Sequence, residues 1–172
     1  MKQVLAIDAG FAAMGWAVLR DGEIMGLGCK RTKPESRKRG VRVADDDTER
    51  TQELARALRI IVEEYEISGV VVEMPSGGAK GARAISCMAK AGAIVATAVE
   101  LLGLPAEWVT PAQVKKITGK RNASKAEVET AVLDHWPFAT LPKIKADREH
   151  VVDALATYVA AKDGQLVRTL CA

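Results

Sequence analysis

A chain of 172 residues, 48% hydrophobic and 27% charged, has the composition of one globular domain with a real core and little room for a second. Its three scattered cysteines, Cys29, Cys87 and Cys171, show no CxxC or Cys/His spacing. They argue against a disulfide framework or a zinc site and for a reducing, cytosolic setting. No apolar run approaches the length of a membrane span.

"MKQVLAIDAG" reads as a first core strand, residues 3 to 8, rather than a signal peptide, because Asp8 breaks its apolar stretch. Runs at 14–20 and 23–30 flank Asp21-Gly22, a type I′ hairpin signal. A basic loop, 31–42, leads through "ADDDTER" into a helix that Asp47 or Thr48 can cap, with Leu54, Leu58, Ile61 and Val62 on its apolar face. Val70 to Val72 form a fourth, short strand, ending on Glu73 before a Gly-rich loop. An Ala- and Gly-rich helix, 83–102, stops at Gly103 and Pro105. "AEWV" is a short strand and "TPAQVKKITG" a short helix. "SKAEVETAVLDHW" opens with the capping box Ser124/Glu127 and carries Val128, Ala131, Val132 and His135 on one side. Residues 148–162 form the last convincing helix, with Asp147 placed to cap it. Antiparallel hairpins followed by helix-separated strands predict a mixed five-stranded sheet covered by helices.

Asp8 and Glu73 both end strands, at the edge where open α/β sheets build sites. In the last helix His150 and Asp153 stand at i, i+3 on one face, beside a core side of Val151, Val152, Leu155, Tyr158 and Val159. Three acids and a histidine from three segments would then meet at one sheet edge. Mutual repulsion raises their pKa values, and a divalent cation relieves it. Oxygen ligands suit Mg²⁺ or Mn²⁺. The net charge of +3 conceals two basic clusters. "KRTKPESRKRGVR" (30–42) has seven basic residues against one Glu, and "AQVKKITGKRNASK" (112–125) has five and no acid. Such clusters suit a polyanion surface. The polyanion-contact candidates are Arg31, Lys33, Arg37, Lys38, Arg39, Lys80, Arg83, Lys115, Lys116, Lys120 and Arg121.

From about residue 3 to 162 the chain resembles the RuvC-type Holliday-junction resolvases of the ribonuclease H-like superfamily. "AIDAGFAAMGWAVL" resembles the family's opening strand with its acid, "GCKRT" its third strand, and "VVVEMPSGG" its second acidic strand end. "TPAQVKKITGKRNASKAEV" is similar to its TP-x-x-VK…TG…A-x-K segment, and "HVVDALA" to its last helix. The resemblance implies an α/β, ribonuclease H-like fold with helices on both faces of the five-stranded sheet. It implies Asp8, Glu73 and Asp153 as metal-binding carboxylates, His150 in the fourth position, and Lys125 near the scissile phosphate. Lys115 or Lys116 would bind backbone phosphate. It further implies 5′-phosphate products and branched DNA as substrate. Two Mg²⁺ ions bridged by Asp8 would explain the constellation. Two symmetric nicks in a nearly two-fold junction call for a C2 homodimer, with the helix of residues 48–66 as the expected dimer surface. A branch-migrating helicase partner, and host or phage origin, stay open.

Two departures mark a divergent member that cuts several branched structures: "MPSGGAKGAR" has no aromatic, and "DAGFAAMG" lacks the family's Pro and Thr. A non-cleaving branched-DNA-binding module is the alternative. "IDAG" also resembles the phosphate loop of actin-like phosphotransferases, for which the chain is short.

Overall fold

The computed structural model describes residues 2–35, 40–75 and 81–171. It opens with β1 (Gln3–Asp8), β2 (Ala13–Arg20) and β3 (Glu23–Arg31), an antiparallel meander. Asp21 and Gly22 have φ of 51° and 84°, the two positive values a type I′ turn requires. The helix α1 (Val43–Glu64) precedes β4 (Ile67–Glu73), and α2 (Ala82–Leu101) precedes β5 (Ala106–Val109). β4 pairs parallel to β1, and β5 parallel to β4, giving the order β3-β2-β1-β4-β5. The expected mixed five-stranded sheet is present. α3 (Pro111–Lys116), α4 (Lys125–His135), α5 (Lys145–Ala161) and α6 (Gln165–Leu170) complete the chain.

Period-two alternation sorts the sheet's side chains between two cores. Leu5, Ile7, Val18, Val70 and Val72 pack with Leu54, Leu58 and Ile61 of α1 and Ala91, Ile94, Val95 and Val99 of α2. Val4, Ala6, Ala17, Leu19 and Val71 pack on the other face with Val114 of α3, Val128 and Val132 of α4, Val151, Val152, Leu155 and Ala156 of α5, and Val167 of α6. Helices therefore cover both faces.

Three local expectations are corrected. α1 begins at Val43 with Arg42 as its N-cap and no side-chain cap. Asp47 and Thr48 lie inside the helix, because Asp47 is drawn into ion pairs with Arg83 and Lys90 of α2. α5 begins at Lys145, and Asp147 accepts from Arg31 instead of capping. His135 is exposed, not part of the apolar side of α4. The short α6 was not foreseen; Glu107 of β5 accepts from Leu166 N at 3.0 Å and closes its first turn.

α2 is moreover long and apolar enough by composition to cross a membrane. In this fold its Ala91, Ile94, Val95 and Val99 are core residues, and its Arg83 and Lys90 pair with a carboxylate of α1.

Candidate active site

The alternation that builds the cores also aims the acids. Asp8 follows Val4 and Ala6, and Glu73 follows Val71, so both point to the face covered by α5. The parallel register pairs Asp8 directly with Glu73, and the antiparallel register pairs Asp8 with Gly15 of β2. Gly15 is what lets α5 come down. A Cβ there would lie 2.0 Å from the carbonyl oxygen of His150. With that close approach possible, His150 Nδ1 and Asp8 Oδ2 form a hydrogen bond of 2.6 Å. Asp153 follows one turn later. Lys125, the first residue of α4, places Nζ 3.4 Å from both Asp153 Oδ2 and Glu149 Oε2.

The site's electrostatics are those of crowded, partly buried acids. Burial pushes the Glu73 carboxyl up to about 7, and the charges of Asp8 and Asp153 push the same way against Lys125 and Lys115. Asp153 is raised by burial first and by Asp8 next. His150 is raised chiefly by its bond to Asp8, against burial. Burial works to lower Lys125, but Asp153 and then Glu149 outweigh it and raise it.

The sequence reading brought Asp8, Glu73, His150 and Asp153 to one edge, and the fold does so. It does not gather them into a ready ligand shell: among the described residues no three His, Cys, Asp or Glu stand close enough together to hold a metal ion. The reason is visible in the partners. Asp8 is engaged by His150, and Asp153 by the Lys125 ammonium, so each carboxylate meets the nearest positive group. The donor set still fits a hard divalent cation. It is oxygen-rich, and the charges of Asp8 and Asp153 push Glu73 up, a repulsion that a divalent cation relieves.

The basic candidates divide. Lys115 and Lys116 lie exposed in the last turn of α3, and of the two it is Lys115 whose charge acts on Glu73. Lys33 and Arg121 are exposed. Arg31, Arg83 and Lys120 are paired with Asp147, Asp47 and Glu127, so part of the expected patch is neutralised internally. Arg37, Lys38, Arg39 and Lys80 lie outside the described residues. Sequence reading missed Gly15 and Glu149. Glu149 and Asp153, two acids at i, i+4, were the available signal for a shared lysine.

A mixed sheet in this order, with acids ending its two central parallel strands and helices on both faces, is the ribonuclease H-like α/β architecture. The family described as crossover junction endodeoxyribonuclease RuvC matches residues 4–161. No curated protein matches the chain. Among solved structures, Thermus thermophilus RuvC in complex with a Holliday-junction substrate is similar, with TM-score 0.73, 22% identity, and 93% of this chain and 92% of that one covered. A second Thermus thermophilus RuvC structure gives TM-score 0.70 and 22% identity over 92% of each chain. The chain belongs to the RuvC family and is a Holliday-junction endonuclease of DNA recombination and repair. The family is one of metal-dependent nucleases.

Proposed function

We propose that a single nuclease domain over residues 1–172 nicks four-way junctions and other branched DNA, leaving 5′ phosphates. The observation that carries this reading is the side-by-side register of Asp8 and Glu73 beneath His150 and Asp153 of α5. Asp8, Glu73, Asp153 and His150 would hold two Mg²⁺, with Mn²⁺ able to substitute. Such ions activate a water and stabilise the leaving 3′ oxygen in an in-line displacement. Asp8 would orient the His150 ring through Nδ1, so that Nε2 could hold a metal ion or position the water. Lys125 sits beside Asp153 to offset charge developing on the phosphate. Lys115, with Lys116 and the exposed Lys33 and Arg121, holds backbone phosphates, contacts that position DNA without reading it.

Two symmetric nicks need two sites, so the working unit is a C2 homodimer. Its apolar surface is a groove of about 320 Å³ between α1 and α2, lined by Ala55, Arg56, Arg59, Ile94, Ala98 and Leu101. Leu101 there is 81% exposed. The cysteines are free, which suits the reducing cytoplasm.

The test is Asp8→Asn on a labelled four-way junction with Mg²⁺. Wild type should give symmetric nicks; the variant should lose them by about a thousandfold or more while still shifting the junction in a gel. Metal-dependent nicking that survives Asp8→Asn would remove this mechanism. Wild-type binding without nicks would favour a non-cleaving module.

A further inference from the structure

Asp8 is held from one face by His150. Its loop, Ala9–Ala12, is gripped from the opposite face by a group of polar residues buried against the α1/α2 core. Thr32, Asp46 and Arg50 are 4%, 8% and 7% exposed. Thr32 Oγ1 donates to the carbonyl of Phe11 at 2.7 Å, and Thr32 N donates to the carbonyl of Ala12 at 3.0 Å. Arg50 Nε donates to Thr32 Oγ1 at 3.0 Å. Its guanidinium lies 4.4 Å from the centroid of the Phe11 ring, with Lys90 Nζ 5.9 Å from the same centroid. Asp46 faces Arg50 at 3.8 Å and accepts from Glu35 N at 2.7 Å. One cluster thus ties the peptide three residues past Asp8 to the start of the basic segment.

Buried ion pairs add little net stability over apolar replacements, but they restrict geometry. The uncharged alternative would fill the space as well and leave the loop free to slide. We propose that Thr32 and Arg50 are positioning residues for Asp8: they fix the loop that sets its carboxylate and tie residues 32–35 to it. The inference rests on the assignment of Asp8 as a metal-holding catalytic acid.

Thr32→Val keeps the side chain's shape and deletes both hydroxyl bonds; Thr32→Ser restores them. Expected for Thr32→Val is a fall of about tenfold or more in single-turnover nicking, since small misplacements of reacting groups cost that much. Its Mg²⁺ half-saturation should rise, and calorimetric Mn²⁺ binding to the DNA-free protein should weaken. Junction affinity should stay within about twofold, because the groups that hold phosphate are untouched. Thr32→Ser should recover rate and metal binding. Arg50→Lys, which keeps charge but not the guanidinium fork, provides the same measurements if Thr32→Val does not fold.

Wild-type nicking and Mn²⁺ binding in the folded Thr32→Val variant would overturn the inference, as would a loss that merely tracks the unfolded fraction and is not restored by Ser. Asp8→Asn run alongside separates the two levels. Nicking by Asp8→Asn sinks the assignment of the site itself, whereas an inactive Asp8→Asn beside a normal Thr32→Val sinks only the positioning role.

Discussion

Two acidic clusters flank the same sheet edge, and their chemistry diverges. Burial, and after it the charges of neighbouring acids, push Glu73 up to about 7 and raise Asp153, with too few cations to offset them. Asp46 and Asp47, at the start of α1, are more deeply buried, yet Asp47 lies well below the usual carboxylate range because Arg83, and then Lys90, bond to it. Burial is common to both clusters; the supply of partners differs. A carboxylate held well below its usual range by cations of its own chain, as Asp47 is, is scaffold. One that lacks them is left to bind what diffuses in. The sequence by itself suggests the reverse, since "ADDDTER" concentrates its acids while Asp8, Glu73 and Asp153 are spread over 145 residues.

The largest test of this contrast sets Glu73→Gln against Asp47→Asn. Glu73→Gln should lower nicking by about a hundredfold or more, as expected for a metal-holding oxygen, and leave the metal-free fold as stable as wild type or more so. Asp47→Asn should do the opposite. It strands two half-exposed cations and should cost about 1–3 kcal/mol in urea unfolding, with nicking by the folded fraction within about threefold of wild type. If the two variants exchange effects, the division into site and scaffold is wrong.

How much of this division was legible in the sequence depends on the range of the interaction. The hairpin, the Ser124/Glu127 capping box and the acids ending β1 and β4 follow from neighbours a few residues apart, and all are present. The i, i+3 pairing of His150 with Asp153 likewise announced a face of α5. The partners of Asp47 lie 36 and 43 residues away, and that of Asp147 lies 116 away. No local rule could separate a capping aspartate from one claimed by a distant arginine. Gly15 belongs to the same class. Its role is an absence of atoms opposite His150, and only the packed structure reveals it.

Next in size is a pH effect of opposite sign for the two clusters, read as unfolding midpoints in chelator. Glu73 binds its proton more tightly folded than unfolded. Its contribution is therefore complete below its ordinary value of 4.5 and is lost as pH rises through about 7. Asp153 acts in the same direction. Asp47 binds its proton less tightly when folded, so its contribution is present above about 4 and is lost as pH falls further. Metal-free protein should be most stable between roughly 4 and 5, and Glu73→Gln should flatten the fall above that. Added Mg²⁺ or Mn²⁺ should raise the midpoint increasingly toward pH 7 and beyond, by mass action on the folded state. A midpoint indifferent to both metal and Glu73→Gln would erase the contrast.

A smaller effect concerns the cations that remain outward. Lys115→Ala with Lys116→Ala should weaken junction binding several-fold and reduce the slope of log affinity against log salt by about 0.9 for each phosphate no longer neutralised. The turnover of bound junction should change little. Arg83→Ala should affect the salt slope less, since Asp47 already occupies its guanidinium.

The smallest expected effect is at Ser124, and it marks where scaffold passes into site. Ser124 accepts from Glu127 N at 3.3 Å while Glu127 accepts from Ser124 N at 2.8 Å, a closed box at the first turn of α4. The next residue is Lys125, poised between Glu149 and Asp153. Ser124→Ala should cost about 1 kcal/mol of stability. It should slow nicking only about twofold, because Val128 and Val132 still seat the helix in the core beneath Lys125 and a cap contributes little more than that to one turn. A loss approaching that of Lys125→Ala would mean that the cap, not the core, sets the ammonium's place. The first turn of α4 would then belong with the acids of the site rather than with the scaffold that presents them.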